Sequence, residues 1–390
     1  MAELAAELQE DVLERFLRYV RIETTSDQDS ETYPSTARQR DLGEVLEREL
    51  RELGLEGVEL TEHGYVFATL PGSAGPTVGL IAHMDTSQDE SGANVQPQVV
   101  RNWNGEDIVL PGDADKVLRV DENPILAARV GHDLVTTDGT TLLGADDKAG
   151  VAEIMGAVAY LAAHPEIEHA PIRVGFTVDE EVGRGVDHFD IDEFGADFAY
   201  TLDGAEVGRI DDETFSASEV RIKIEGLSVH PGTSKGKMVN AIKLGARLIE
   251  RLPRGERSPE TTEEREGFVH PHRFTGTTAD AELRFIARDF DSAKLREHED
   301  LLRQLADELA AEEPRARVSV AVEEQYLNMK EFLDEDPAVT EAADEAALAY
   351  PTLQPRAEPV EARLEPATTL RQAQGEVAGL TRQMALTPRP

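Results

Sequence analysis

The chain has 390 residues, no cysteine, and a net charge of −39 from 78 acidic against 39 basic side chains. Without cysteine there are no disulfides or thiolate metal sites, which leaves His, Asp and Glu as the available metal donors. The charge argues against nucleic acid and anionic membrane as partners, since both select cationic surface, and the length argues for two domains rather than one core.

In chain order, "MAELAAELQEDVLERF" is acidic and amphipathic, without the basic start and apolar run of a secretory signal. No stretch approaches the roughly 18 apolar residues of a membrane span. A cytoplasmic location is the expectation. Only eight lysines occur in the chain. An acidic, lysine-poor surface repels itself in dilute buffer and stays soluble where salt screens it, which predicts a salt-rich, halophilic interior.

Residues 5–54 read as helix, loop, helix, the loop being "TTSDQDSETYPST". The apolar runs "YVFATL", "TVGLIAHM", "IRVGFTV" and "DFAYTL" read as strands, and "AGVAEIMGAVAYLAAH" as a helix between the later ones. Strands alternating with helices predict an α/β fold, a mixed sheet flanked by helices. Near Gly208 the pattern changes. From "TFSASEVRIKIEGLS" to "ARVSVAVEEQY" it reads β-α-β-α-β, an inserted α+β lid domain. The expected boundaries are 1–209 for a metal-binding catalytic domain, 210–322 for the insert, 323–350 for a return to the first domain, and 351–390 for a tail. That tail departs from the rest: four glutamates against five arginines give it +1, against −40 for the 350 residues before it.

Four acidic or His clusters close predicted strands or open a helix: His83 with Asp85, Asp146 with Asp147, Asp179 with Glu180 and Glu181, and Asp203. Residues i and i+2 of a strand share a face, so His83 and Asp85 can serve one site. Sites of open α/β sheets gather beyond the carboxyl ends of the strands, which predicts that the four clusters converge. Converging acids repel unless a cation neutralises them, and one His with several carboxylates suits Zn²⁺, Mn²⁺ or Co²⁺. Taken singly, an Asp-Asp turn or a Glu-Glu pair is usually a solvated cap or charged surface; four in this order and context point to a site.

The segments "RIETTSDQDSETYPST", "IAHMDTS", "TTDGTTLLGADDKAG", "TVDEEVGRG", "YTLDGAEVG", "HPGTSKG" and "IARDFD" occur in this order over roughly residues 5–350. They resemble the signatures of the peptidase T family, the tripeptide aminopeptidases among the dinuclear zinc exopeptidases. The resemblance implies two zinc ions per chain. Asp146 would bridge them, His83 and Asp203 would hold one, and Glu181 would hold the other with a distant His. Asp85 would orient His83, and Glu180 would be the general base that passes a proton from water to the leaving amine. In the insert, His230 would stabilise the tetrahedral oxyanion and Arg288 would clamp the peptide's C-terminal carboxylate. The alternatives are a turn role for His230 before its proline, and pairing of Arg288 with Asp289 or Asp291. His132, His164, His169, His188, His270, His272 and His298 match no motif and are expected at the surface. The implied partners are short peptides, mainly tripeptides, and a second copy of the chain in a homodimer, with no nucleic acid and no membrane.

The family's Gly-rich loop and late His ligand have no counterpart after residue 350, and His298 is the last histidine. The catalytic domain is therefore expected to be incomplete at its C-terminal side and the second zinc site to lack a ligand. A rival reading follows: an inactive or metal-deficient remnant of the family that binds peptide or metal without catalysis.

Overall fold

The computed structural model describes residues 2–204 and 209–349, with side chains from residue 8 to residue 347. The 351–390 tail lies outside the described residues. The chain divides into two compact units, one running to Ile210 and resuming at Glu341, the other spanning Asp211–Thr340.

The first unit opens with helices α1 (Ala2–Tyr19) and α2 (Gln39–Glu52). Strands β1 (Glu56–Leu60), β2 (Val66–Leu70) and β3 (Val78–His83) follow. A region of short elements comes next: β4 (Gln98–Val100), β5 (Ile108–Val109), β6 (Val117–Leu118), α3 (Pro124–Ala127) and β7 (Leu134–Thr136). Then come α4 (Ala145–Ala163), β8 (Ile172–Thr177), α5 (Ile191–Phe194) and β9 (Phe198–Thr201). The main sheet has the order β1-β2-β8-β3-β9. Its pairs β8–β3 and β3–β9 are parallel, while β1–β2 and β2–β8 are antiparallel. This is the mixed α/β sheet expected from the alternation of strands and helices.

Three parallel strands thus end on the same side, which is where the acids lie. Strand β3 is buried at Ile81, Ala82 and His83, as a central strand covered on both faces requires. Helix α4 lies against β3 through an apolar surface that includes Val151, Ile154, Met155 and Val158. Helix α2 buries Leu42, Leu46 and Leu50, one stripe at four-residue spacing, beside β1 and β2.

The second unit is β10 (Ser216–Glu225), α6 (Ala241–Glu250), β11 (Phe268–Gly276), β12 (Asp280–Asp289), α7 (Ser292–Glu312) and β13 (Arg317–Tyr326). Helices α8 (Lys330–Leu333) and α9 (Pro337–Ala349) follow. The order β11-β12-β10-β13 is antiparallel throughout. One face carries Val220, Ile222, Ile224, Leu283 and Phe285 against Leu244 and Leu248 of α6 and Leu302, Leu305 and Leu309 of α7. The topology is β-α-β-β-α-β, one strand more than the sequence pattern predicts. The missed strand is β11. It contains Pro271, which reads against a strand, yet β11 is the sheet edge, where proline is tolerated, and its register shifts between Pro271 and Arg273.

Candidate metal centre

His83 ends β3 with its side chain fully buried. Its Nδ1 lies 3.0 Å from the carbonyl oxygen of Asp85 and 3.3 Å from Asp85 Oδ1. With acceptors on that side the ring proton belongs on Nδ1, so Nε2 presents its lone pair to the opposite side. There Nε2 meets Asp146 Oδ1 at 2.9 Å, Glu180 Oε2 at 3.8 Å and Asp203 Oδ2 at 3.9 Å. In that tautomer Nε2 and Asp146 Oδ1 are both acceptors, and a cation or a second proton between them is needed to reconcile the contact. Two sets of donors are close enough to share an ion, His83–Glu180–Asp203 and His83–Asp146–Glu181. The residues therefore suit one or two divalent cations, with His83 the only imidazole in either set.

The acids behave as a crowded, partly desolvated group. Burial pushes Asp147 up to about 9, Glu180 up to about 8 and Asp203 up to about 6, with neighbouring carboxylates adding to each. Asp146 goes the other way, held below its ordinary range by His83. Burial alone would lower His83, but Asp146 and Asp85 carry it well above its ordinary value.

Backbone geometry sets where each acid points. The Asp85 carboxylate accepts the Glu180 N–H at 3.0 Å on Oδ1 and the Glu181 N–H at 3.1 Å on Oδ2. Its carboxylate thus holds the turn after β8, while its backbone carbonyl takes the shorter contact with His83. Asp147 and Asp179, grouped by sequence with the ligand candidates, commit their carboxylates to nearby N–H and O–H donors instead. Asp147 accepts the backbone N–H of His83 and of Gly150, each at 3.2 Å, and ties α4 to the end of β3. Asp179 is fully buried, has φ of +57°, and accepts the Ser35 N–H and the Gln39 side-chain amide, both at 2.6 Å, and the Ser35 hydroxyl. Its own N–H returns to Gln39 Oε1 at 3.0 Å. Sequence reading missed this clamp; its signal was "YPST" followed by Gln39, polar residues just where a helix buries its start.

His230 and Arg288 lie in the second unit. His230 is exposed and starts a short turn, where its Nδ1 accepts the Gly232 N–H at 3.2 Å, so the turn role read from its proline has an observed basis. Arg288 does not pair as the sequence alternative had it. Asp289 faces the helices and meets His298 Nε2 at 3.1 Å, and Asp291 accepts the Ala293 N–H at the start of α7. Arg288 Nε is buried without a hydrogen-bond partner. His298, expected at the surface, is 4% exposed, because it lies on the buried face of α7 as the partner of Asp289.

An imidazole and carboxylates gathered at the ends of parallel strands, in a chain that also carries a four-stranded α+β unit, are the marks of a metallopeptidase of the M20 type. Residues 213–316 match the M20 peptidase dimerisation domain. A peptidase T of Clostridium botulinum (strain 657 / Type Ba4) is 48% identical over 339 residues, 86% of this chain and 83% of that protein. The crystal structure of aminopeptidase PepT from Bacillus cereus ATCC 10987 superposes with a TM-score of 0.65 at 25% identity, covering 87% of this chain and 82% of that one. A dinuclear metal-binding peptidase of the M20 family from Bacillus subtilis shares the fold, with a TM-score of 0.54 at 15% identity over 87% of this chain and 81% of its own. The chain belongs to the peptidase T family.

Proposed function

We propose that this protein is a metal-dependent aminopeptidase that releases the N-terminal residue of tripeptides, with two zinc ions held by the cluster around His83. The observation that carries this reading is the meeting of His83 Nε2 with Asp146, Glu180 and Asp203 within 3.9 Å. The donor set suits the group: one borderline-soft nitrogen and several hard oxygens. His83 and Asp203 would hold one ion, Asp146 would lie between the two, and Glu181 would hold the second. When bound, such cations acidify an attacking water and polarise the scissile carbonyl.

The remaining steps belong to the chain. Glu180 takes the proton of the attacking water and delivers it to the leaving amine. Burial raises the Glu180 carboxyl to about 8 in the metal-free chain, which makes its ionised form a stronger base than a free carboxylate. Asp85 keeps His83 and the Glu180–Glu181 turn in register through its backbone oxygen and its carboxylate. His230 is the oxyanion donor of the second unit. Arg288, with its Nε uncommitted, is the clamp for the peptide's C-terminal carboxylate. The matched dimerisation domain supports a homodimer. Among the described residues no helix is long and apolar enough to cross a membrane. With the acidic, lysine-poor composition, this is consistent with work in a salt-rich cytoplasm.

Chromatography of tripeptide digests, with the chain chelated and then reloaded with zinc in molar salt, tests the assignment. Release of the N-terminal amino acid only after reloading is the expected result; no release under any zinc or salt level would refute it. Glu180→Gln should lower turnover about 10² to 10⁴-fold with metal content unchanged, the size general acid–base work usually has. Mass spectrometry of the metal and a rate assay on the same sample check both halves.

A further inference from the structure

The face of the second unit's sheet that lies away from α6 and α7 carries a row of residues in register at one end: Phe268 of β11, Arg288 of β12, Ala217 of β10 and Tyr326 of β13. Directly opposed residues of antiparallel strands share a face, so all four project the same way. Tyr326 reaches that face only through an irregularity. Along β13, Val318, Val320 and Val322 point to the helices, and strict alternation would send residue 326 after them. Instead Ser218 pairs with Glu324 and Ala217 with Tyr326, which leaves Gln325 as an extra residue. That bulge resets the alternation and turns Tyr326 toward Arg288; bulges commonly re-aim a side chain in this way beside a functional site.

Neighbouring strands lie about 4.8 Å apart, so Arg288 and Tyr326 stand about 10 Å apart across Ala217. Between the two longer side chains stands only the methyl of Ala217. Tyr326 is 6% exposed, which fixes its ring, while its hydroxyl has no hydrogen-bond partner among the described residues. Arg288 Nε is likewise unpartnered.

We infer that Tyr326 is a second recognition group for the substrate's C-terminal carboxylate, donating its hydroxyl to one oxygen while Arg288 takes the other. The inference rests on the reading of Arg288 as the carboxylate clamp. Burial raises the Tyr326 hydroxyl above its ordinary range, against a smaller opposing pull from Arg288, so the group remains a donor at neutral pH.

The test compares kcat/KM for one tripeptide and for its C-terminal amide, on the unaltered chain, Tyr326→Phe and Arg288→Ala. Each variant is judged by its acid-to-amide ratio, in which damage to fold or metal content cancels. Loss of one hydrogen bond to a charged group should cut the ratio about tenfold in Tyr326→Phe, and Arg288→Ala should cut it further. A ratio unchanged in Tyr326→Phe but collapsed in Arg288→Ala would overturn the Tyr326 assignment and leave the clamp standing. Ratios unchanged in both would overturn the clamp and Tyr326 together.

Discussion

Asp179 and Glu180 are adjacent acids with different work, and the difference lies in the backbone. The left-handed conformation at Asp179 turns its carboxylate toward Ser35 and Gln39, while Glu180 faces His83. Asp tolerates that conformation better than most residues. Asp179→Ala would leave the buried Ser35 N–H without its acceptor and take from the Gln39 amide the shortest of its three. The expected cost is about 2–3 kcal/mol, read from urea unfolding midpoints, and a shift under about 0.5 kcal/mol would contradict the clamp. The chemistry of the site was legible at this scale because "AHMD", "GADDKAG" and "VDEEVG" each set an acid or imidazole at a strand end or helix start. Residue spacing alone does not tell which neighbour of each acidic pair faces the cluster; the resemblance to the family singles out Asp146, Glu180 and Glu181. That choice depends on φ and ψ at one residue and on a partner as distant as Gln39, 140 positions away.

Strands β2, β3, β8 and β9 could be read directly because buried strands of a covered sheet are nearly continuous apolar runs. Strand β11 and the bulge at Gln325 could not. An edge strand relaxes the rules against proline, and an extra residue in β13 shows only once its partner strand fixes the register. Helix α4 is held to the strand ends by an equally hidden feature, the lack of a side chain at Gly150. A methyl there would lie 2.0 Å from the Leu202 carbonyl oxygen and 2.5 Å from Asp147 Oδ1. Gly150→Ala should therefore push α4 away from the segment that carries Asp203, with a cost of about 1–3 kcal/mol or more from overpacking. Thermal unfolding together with metal content checks this; a variant with both unchanged would show that the segment yields freely.

The molecule as a whole carries a formal −39, a count that includes interior acids whose values burial raises. Asp147, Glu180 and Asp203 titrate in the fold at about 9, 8 and 6, against about 4 in an unfolded chain. Between about pH 5 and 9 the folded state thus keeps protons that the unfolded state has released, and the metal-free chain should lose stability as pH rises through that window. His83 has the same sign: with its value raised, its contribution is complete below pH 6.5 and is lost on the alkaline side. Asp146, lowered, adds stability that is steady across the window. Melting of the chelated chain from pH 5 to 9 should show the decline, and zinc should flatten it. A flat curve without metal would mean that burial does not hold these acids protonated. Salt acts on the rest of the charge. Raising KCl from 0.1 M to 2 M should raise Tm, since screening weakens repulsion among exposed acids; an unchanged or falling Tm would remove the argument for a salt-rich interior.

Asp85 meets two successive amides with its two oxygens while its own carbonyl touches the imidazole two residues upstream. One residue is thereby a common mechanical reference for the tips of two parallel strands. The turn that carries Glu180 and the strand tip that carries His83 are therefore tied through a single residue, so a substitution at position 85 would disturb both at once.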